Sequence, residues 1–429
     1  MLWYQIFRDG PEYEKRVAQG SFTPPNFTPK QLYDAIPPHL FRRSTMRSTI
    51  YIIRHLAITA LFYCLASRID LFVEALTANV HAARALRATF WLAYWVWQGL
   101  AFTGIWVLGH EAGHDSFSSY PWFNTVVGMA LHTFVLTPFY AWRATHRSHH
   151  KHTNSIENDE TYHPQTRADL KLPDGRVAVK MDYTEVLEDT PAFTLFKLFV
   201  RQFFGFQLYL LHNRKGNPKY PAGTSHYRPS SLLFKSADWT SIVISNIAIG
   251  CMLCLIAAYA HFCGWKACLA HYFMPWMFAH NWLVMITYLQ HSDPTIPYYR
   301  KDQWTFVRGA LATVDRPIFG WAGRFFLHNI SSNHIAHHFF SGIPFYNLPA
   351  ATEAIKPVLG EYYNYDSTGV LKALWRSFTQ CRFVEDDGAV LFFRNAYGDA
   401  VLDADATNIY TAGRCLRELS TILFRRLSR

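Results

Sequence analysis

Four long apolar runs, about residues 48–67, 88–109, 240–262 and 268–289, dominate the pattern along the chain. A helix of about 20 apolar residues crosses a bilayer, so each run predicts a membrane span. The last two are joined by a short turn at Cys263-Gly264-Trp265, and each pair reads as a hairpin returning the chain to its starting side. Arg54 and His55 interrupt the first run, and the second is rich in tryptophan. Residues 192–211 are apolar and aromatic but carry Lys197, Arg201 and Gln202, which suits a helix lying in the membrane interface. Residues 1–46 are polar and broken by Pro24-Pro25 and Pro37-Pro38, and they predict an extended cytosolic arm. Residues 395–429 read as a separate tail with a weakly amphipathic end (Leu416, Leu419, Leu423, Leu427). The expected fold is an all-α integral membrane protein. Its domain, residues 47–394, holds four transmembrane helices in two hairpins, interfacial helices and a cytosolic cap.

The polar stretches around these runs carry three histidine clusters. His110-Glu111-Ala112-Gly113-His114 follows the second run, and His146-Arg147-Ser148-His149-His150 shares its H-x-x-H-H spacing with His334-Ile335-Ala336-His337-His338. On a helix, residues three and four apart are neighbours. His110 and His114 should therefore share a face, and so, roughly, should the three imidazoles of each later cluster. A lone histidine is ordinarily a satisfied polar side chain. His280, in mid-span, is read as buried and hydrogen-bonded, and His152, beside the second cluster, as an accessory residue. Three spaced clusters are another matter. Imidazole suits Zn, Cu, Fe and Ni, and eight histidines exceed what one metal takes, so the count predicts two metals.

Residues 123–140 are nearly long enough to cross, yet they lie between the first and second clusters. A crossing there would put those clusters on opposite sides of the membrane. The expectation is an interfacial or re-entrant helix that does not cross. Four crossings then leave both termini and all three clusters cytosolic, with only the loops near residues 68–87 and 263–267 lumenal.

Composition strengthens the membrane reading. Charged residues make up 17% of the chain, against about 25% in soluble proteins. The net charge of +10 could suggest nucleic acid, but basic residues flank apolar runs (Arg42, Arg43, Arg47; Arg425, Arg426, Arg429). That is the arrangement of positive-inside flanks, and no nucleic-acid partner is expected. The seven cysteines show no zinc-ribbon spacing. Cys251 and Cys254 fall within an apolar run and read as small buried hydrophobes. Residues 1–19 have no signal-peptide core, so insertion should rely on internal spans. Asn26-Phe27-Thr28 and Asn329-Ile330-Ser331 match the glycosylation pattern but fall on the predicted cytosolic side, as chance matches would.

Neutral imidazoles hold iron while leaving positions open for dioxygen. At a membrane surface, two irons so held suit oxidation of an unactivated C–H bond of a lipid chain, the protein supplying position and water exclusion. Glu111, Asp115, Asp159, Glu160, Asp293 and Asp315 are candidates for holding the imidazoles' second N–H groups. A histidine-rich metal transporter would instead need polar ligands inside the spans, and these clusters lie beyond the span ends.

The clusters H-E-A-G-H, H-R-S-H-H and H-I-A-H-H between paired spans resemble the membrane-bound fatty acid desaturases, most closely the microsomal Δ12 (ω-6) oleate desaturases. Four further stretches look like that subgroup: residues 35–39 (AIPPH), 287–291 (TYLQH), 308–316 (RGALATVDR) and 355–360 (IKPVLG). The resemblance covers roughly residues 30–394. It implies an endoplasmic reticulum oxidoreductase with two Fe ions that takes two hydrogens from an acyl chain using O2 and two electrons, converting oleoyl to linoleoyl. It also implies a ninth histidine, and Tyr288-Leu289-Gln290-His291 matches the family's motif there. The implied metal and catalytic set is thus His110, His114, His146, His149, His150, His291, His334, His337 and His338.

Family members draw their electrons from cytochrome b5 and its NADH-dependent reductase. Some relatives fuse a cytochrome b5 domain marked by His-Pro-Gly-Gly, whereas this chain has His163-Pro164-Gln165-Thr166, so a separate donor is expected. The acyl carrier, phospholipid or coenzyme A, stays open. Ala112 stands where the subgroup usually has Cys, and Asp115 where it often has His or Gln. These departures bear on regiochemistry, because acetylenases, hydroxylases, conjugases and epoxygenases share the scaffold.

Overall fold

In the computed structural model, which describes residues 7–404, the arm is folded rather than extended. It forms α1 (Pro11–Ala18) and α2 (Pro29–Ala35). Proline in a first helical turn sacrifices no hydrogen bond, and Thr28 and Gln31 close a capping box at the start of α2. Pro11 and Pro29 thus start helices, whereas of the prolines read as breakers Pro38 opens a short 3-10 turn (Pro38–Phe41) and Pro24 and Pro25 lie in irregular chain. Leu32 and Arg16 are buried, so the arm contributes to the cap's packing.

The chain continues through α3 (Thr45–Ala66) and α4 (Ile69–Leu76) into α5 (Val80–Gly113). At 34 residues, α5 is roughly 50 Å long. Every residue from Gln98 to Gly113 is buried, as expected of a helix apolar on all sides. Next come α6 (Pro121–Phe134) and α7 (Phe139–His152), bent by 108° at their break, then α8 (Lys180–Leu187), α9 (Pro191–His212) and α10 (Trp239–Cys263). Gly264, at φ 88°, makes the turn into α11 (Trp265–Cys268). Helical backbone then continues through a π turn at Leu269–Phe273 into α12 (Met274–His291). The cap is completed by α13 (Phe306–Leu311), α14 (Gly320–Phe326), α15 (His334–Phe339), α16 (Leu348–Leu359) and α17 (Val370–Gln380).

Among the described residues, strand structure is confined to two short ladders. β1 (Ser21–Phe22) pairs in parallel with β4 (Asp403–Ala404), and β2 (Tyr298–Tyr299) pairs antiparallel with β3 (Val390–Leu391). The first ladder ties the start of the expected tail to the arm, so residues 395–404 are not a separate unit. The amphipathic end of that tail lies outside the described residues.

Among the described residues, two helical stretches are long and apolar enough to cross a membrane: α3, and Ser236–Cys263, which contains α10. The bent α6–α7 pair makes a third if it is taken as one span. Both α3 and α10 expose large apolar side chains, among them Ile53, Leu65, Ile247 and Leu255. Cys251 and Cys254 are exposed on α10 as well, which corrects the expectation that they are buried.

The principal helix–helix packing is between α5 and α12, with α3, α6 and α9 arranged around them. Close approach depends on Gly99, where an added Cβ would lie 2.4 Å from Phe278 Cβ. Gly99→Ala must push the two helices apart and is expected to cost about 1–3 kcal/mol. Thermal unfolding of the detergent-solubilised protein checks this, and an unchanged midpoint would show that the crossing tolerates a methyl group.

Just beyond α12, the cap is knitted by buried ions. Asp293 accepts from Arg316 at 2.6 Å and Arg376 at 3.1 Å, Asp366 accepts from the same two guanidiniums, and Arg376 also reaches Asp9 at 2.6 Å. Burial alone would raise the Asp293 pKa, but Arg376, Arg316 and Arg16 outweigh it and hold the carboxyl below its ordinary value.

Candidate metal centre

Nine histidines converge where the inner ends of α5 and α12 meet α7 and α15. They form two adjacent groups. His110, His114, His146, His150 and His337 each present a ring nitrogen, all within 4.8 Å of one another. His149, His291 and His338 do the same. His334 joins the second group, its Nε2 lying 2.9 Å from His291 Nε2 and 3.0 Å from His338 Nε2. Between the groups, the His150 and His338 rings stack at 4.1 Å.

The two H-x-x-H-H clusters do not each turn all three imidazoles to one site. His146 and His150 of α7 go to the first group and His149 to the second; His334 and His338 of α15 go to the second and His337 to the first. The helical wheel explains the exchange. Consecutive residues are about 100° apart, whereas i and i+4 are about 40° apart. A helix lying between two sites therefore gives its i, i+4 pair to one and its i+3 residue to the other.

The donor set fits metal ions. Nε2 atoms face each other at 2.9 Å (His110 and His337) and 3.1 Å (His146 and His150). Nitrogens about 2.1 Å from one metal and at right angles to each other would be about 3 Å apart. Among the converging nitrogens, buried His114 Nε2 has no hydrogen-bond partner, a polar atom that burial makes costly to leave unsatisfied. Burial first, and neighbouring histidines second, hold His334 and His338 well below the ordinary imidazole pKa. Neutral imidazole is the form that ligates.

Of the six candidate carboxylates, two approach an imidazole. His149 Nδ1 lies 2.6 Å from Asp159 Oδ1. Glu111, fully buried, has Oε1 3.2 Å from His337 Nδ1, short of hydrogen-bond geometry. The other four make different contacts. Asp115 pairs with Arg143 and Arg147, and Glu160 with Lys219 and Tyr220. Asp293 belongs to the ion network. Asp315 accepts from the Ile335 N–H at 2.9 Å and the Tyr363 hydroxyl at 2.8 Å, burial raising its pKa to about 7.

Two threonines that the histidine spacing did not flag also touch the centre. Thr153 donates to the His149 carbonyl at 2.8 Å and lies 3.1 Å from His338 Nδ1. Thr161 Oγ1 lies 2.9 Å from His149 Nδ1. These contacts hold Nδ1 and leave Nε2 of His149 and His338 to the site. His152 bonds the Ser148 carbonyl and His280 contacts Gln207, so both stand outside the two groups, as expected.

A cavity of about 800 Å³ reaches the centre, with His110, His146, His149, His291 and His334 in its wall. Leu283, Val284, Ile286 and Phe206 supply apolar surface, and Trp142 stacks on His146 at 4.5 Å. The volume is in the range of small-molecule sites.

A helical protein with membrane-length apolar helices, and polyhistidine groups able to hold metal beside an apolar cavity, is built to act on a long apolar substrate. The comparisons make the class specific. The profile of the fatty acid desaturase family matches residues 89–369. The chain is 38% identical over 389 residues to a Delta(12) fatty acid desaturase of Mortierella isabellina, covering 90% of this chain and 94% of that one. It is 35% identical over 401 residues to an oleate hydroxylase of Claviceps purpurea, covering 87% and 82% respectively. It is 36% identical over 391 residues to an acyl-lipid (9+3)-(E)-desaturase of Dimorphotheca sinuata, covering 90% and 96%. The chain belongs to the fatty acid desaturase family and is an oxidoreductase.

Proposed function

We propose that this protein is a membrane di-iron desaturase that introduces the Δ12 double bond into an oleoyl chain, giving linoleoyl. The observation that carries the reading is the pair of polyhistidine groups in the wall of an apolar cavity, within a chain 38% identical to a Delta(12) desaturase. Bound at these nine histidines, two iron ions would supply the oxidising power that removes two hydrogens with O2 and two electrons. The chain's own residues position and insulate the reaction. Leu283, Val284 and Phe206 hold an acyl chain against the histidines, and the aromatic wall of Trp106 and Trp142 excludes water. Asp159, Thr153 and Thr161 fix the orientation of His149 and His338.

The membrane arrangement proposed has α5 and α11–α12 crossing beside α3 and α10, with the α6–α7 pair re-entrant. The 108° bend supports it, as does the meeting of all three clusters at one place. It puts both termini and the centre on the cytosolic face of the endoplasmic reticulum, where cytochrome b5 and its reductase would deliver electrons. Expression in a yeast that lacks diunsaturated lipids is expected to produce linoleate at the expense of oleate. An unchanged fatty acid profile with full-length, inserted protein would overturn the proposal. A hydroxylated or conjugated product would move this chain toward the other activities named among its relatives.

A further inference from the structure

Asp115 follows the first histidine cluster directly, where the Δ12 subgroup often has His or Gln. Its backbone lies in the left-handed region, at φ 60°, at the point where the chain leaves α5. The Ser116 N–H donates to the Glu111 carbonyl at 3.3 Å and the Asp115 N–H to the Ala112 carbonyl at 3.0 Å. These are the paired bonds of a Schellman helix end, whose left-handed residue is usually glycine. Aspartate visits that conformation more readily than most side chains, but glycine does so with no steric cost. What distinguishes aspartate from glycine here is its carboxylate.

That carboxylate holds two guanidiniums of α7. Arg143 spans two acceptors, its Nη2 donating to Asp115 Oδ1 at 2.9 Å and Oδ2 at 2.8 Å while its Nε donates to the Gly113 carbonyl at 2.9 Å. Arg147 uses one nitrogen, Nη2, which donates to Asp115 Oδ2 at 2.6 Å and to the Gly113 carbonyl at 3.2 Å. Gly113 lets α7 come this close, since an added Cβ would lie 3.0 Å from the Trp142 ring. His114 stands in the chain between the two gripped residues. Arg143 and Arg147 each precede a histidine of the first group by three positions, His146 and His150, and so are its neighbours on α7. Across the gap, the His114 ring lies 4.4 Å from that of His150 and 5.0 Å from that of His146.

We infer that Asp115 is a positioning residue of the first metal group: gripped by Arg143 and Arg147, it locks the end of α5 to α7 and sets His114 opposite His146 and His150. The inference rests on the reading that the nine histidines hold metal, and not on the product of the reaction. The second group has no member on α5, so the lock bears on one metal of the two. Asp115 is 34% exposed, and ion pairs open to water add little to stability. The effect therefore belongs in metal affinity rather than in unfolding.

The test is anaerobic equilibrium binding of Fe2+ to the metal-free, full-length protein in detergent, with the unfolding midpoint measured in parallel. Asp115→Gly removes the carboxylate and suits the left-handed backbone better, so a purely structural role predicts unchanged binding. The expected result is instead one iron site weakened about 10–100-fold, the scale of lost support to a ligand. The other site and the midpoint should stay near wild type. Asp115→Asn, which keeps the side-chain shape, should lose the same site. In the His291→Ala protein, whose second group lacks a donor, adding Asp115→Gly should remove most of the remaining iron, which assigns the weakened site to the first group. Arg147→Lys keeps a single donor and should bind iron nearly as wild type does, whereas Arg143→Lys cannot span both acceptors and should reproduce the loss. Two sites of wild-type affinity in Asp115→Gly would overturn the inference, as would equal weakening of both. Wild type that holds two irons yet forms no linoleate would count against the desaturase reading and leave this one standing.

Discussion

His291→Ala is expected to abolish turnover and to lower bound iron while the protein still inserts into the membrane. His291 is the one member of the nine that belongs to none of the three clusters. It ends α12 and is buried, with its Nε2 2.9 Å from that of His334 and its ring 4.6 Å from that of His149. The second group has four imidazoles, so the substitution removes a quarter of its donors and no neighbouring side chain replaces them. Loss of even one well-placed ligand or its support typically costs 10–100-fold in metal affinity or activity, by order of magnitude. His280→Ala on the same helix is the control. His280 contacts Gln207 Nε2 at 3.2 Å and packs against Trp276 at 4.1 Å, so its loss should leave iron content near that of the wild type. A His291→Ala protein with normal iron and normal turnover would remove this residue from the centre.

Arg316→Ala is expected to destabilise the protein by about 3–5 kcal/mol, the cost of breaking a buried ion pair by removing one partner. Arg316 is buried, and it serves Asp293, Asp366 and, through Nε, the Leu289 carbonyl at 2.9 Å near the end of α12. Without it, Arg376 is the one guanidinium left in direct contact with these two carboxylates away from water. The damage should spread to the metal centre, because Asp293 lies two residues after His291 and Leu289 two before it. Thermal unfolding and iron content of the solubilised protein read both effects. Arg316→Met/Asp366→Asn, which removes one charge of each sign, should recover part of the loss. A single variant with an unchanged unfolding midpoint would show that the network carries no net stability.

Most helices could be read locally. The apolar run at 240–262 became α10, the run at 268–289 became α11–α12, and residues 192–211 became α9, each within a few residues. The arm could not be read in this way. Its paired prolines suggest extended chain, yet Pro29 starts α2 where Thr28 and Gln31 cap it. Arg54 and His55, which weaken the first apolar run, find partners across the fold. His55 Nε2 lies 2.7 Å from the Ala101 carbonyl, and Arg54 donates to the Phe325 carbonyl at 3.3 Å. A hydropathy pattern counts such residues as polar because it cannot see their distant partners.

By itself the sequence determined the histidine inventory, the helices that carry it and the family. These depend on residue type and on spacings of three and four positions, which a regular helix turns directly into geometry. Only the tertiary structure decided how the inventory is divided. His149 and His337 leave their cluster-mates because α7 and α15 each lie between the two groups. Whether a helix stands between two sites or beside one depends on its packing against elements far along the chain. The same holds for Thr153 beside His338, 185 positions away, and for Arg382, which reaches Asp189 just before the start of α9. Long-range contacts such as these follow from which surfaces bury one another, and no local pattern records them.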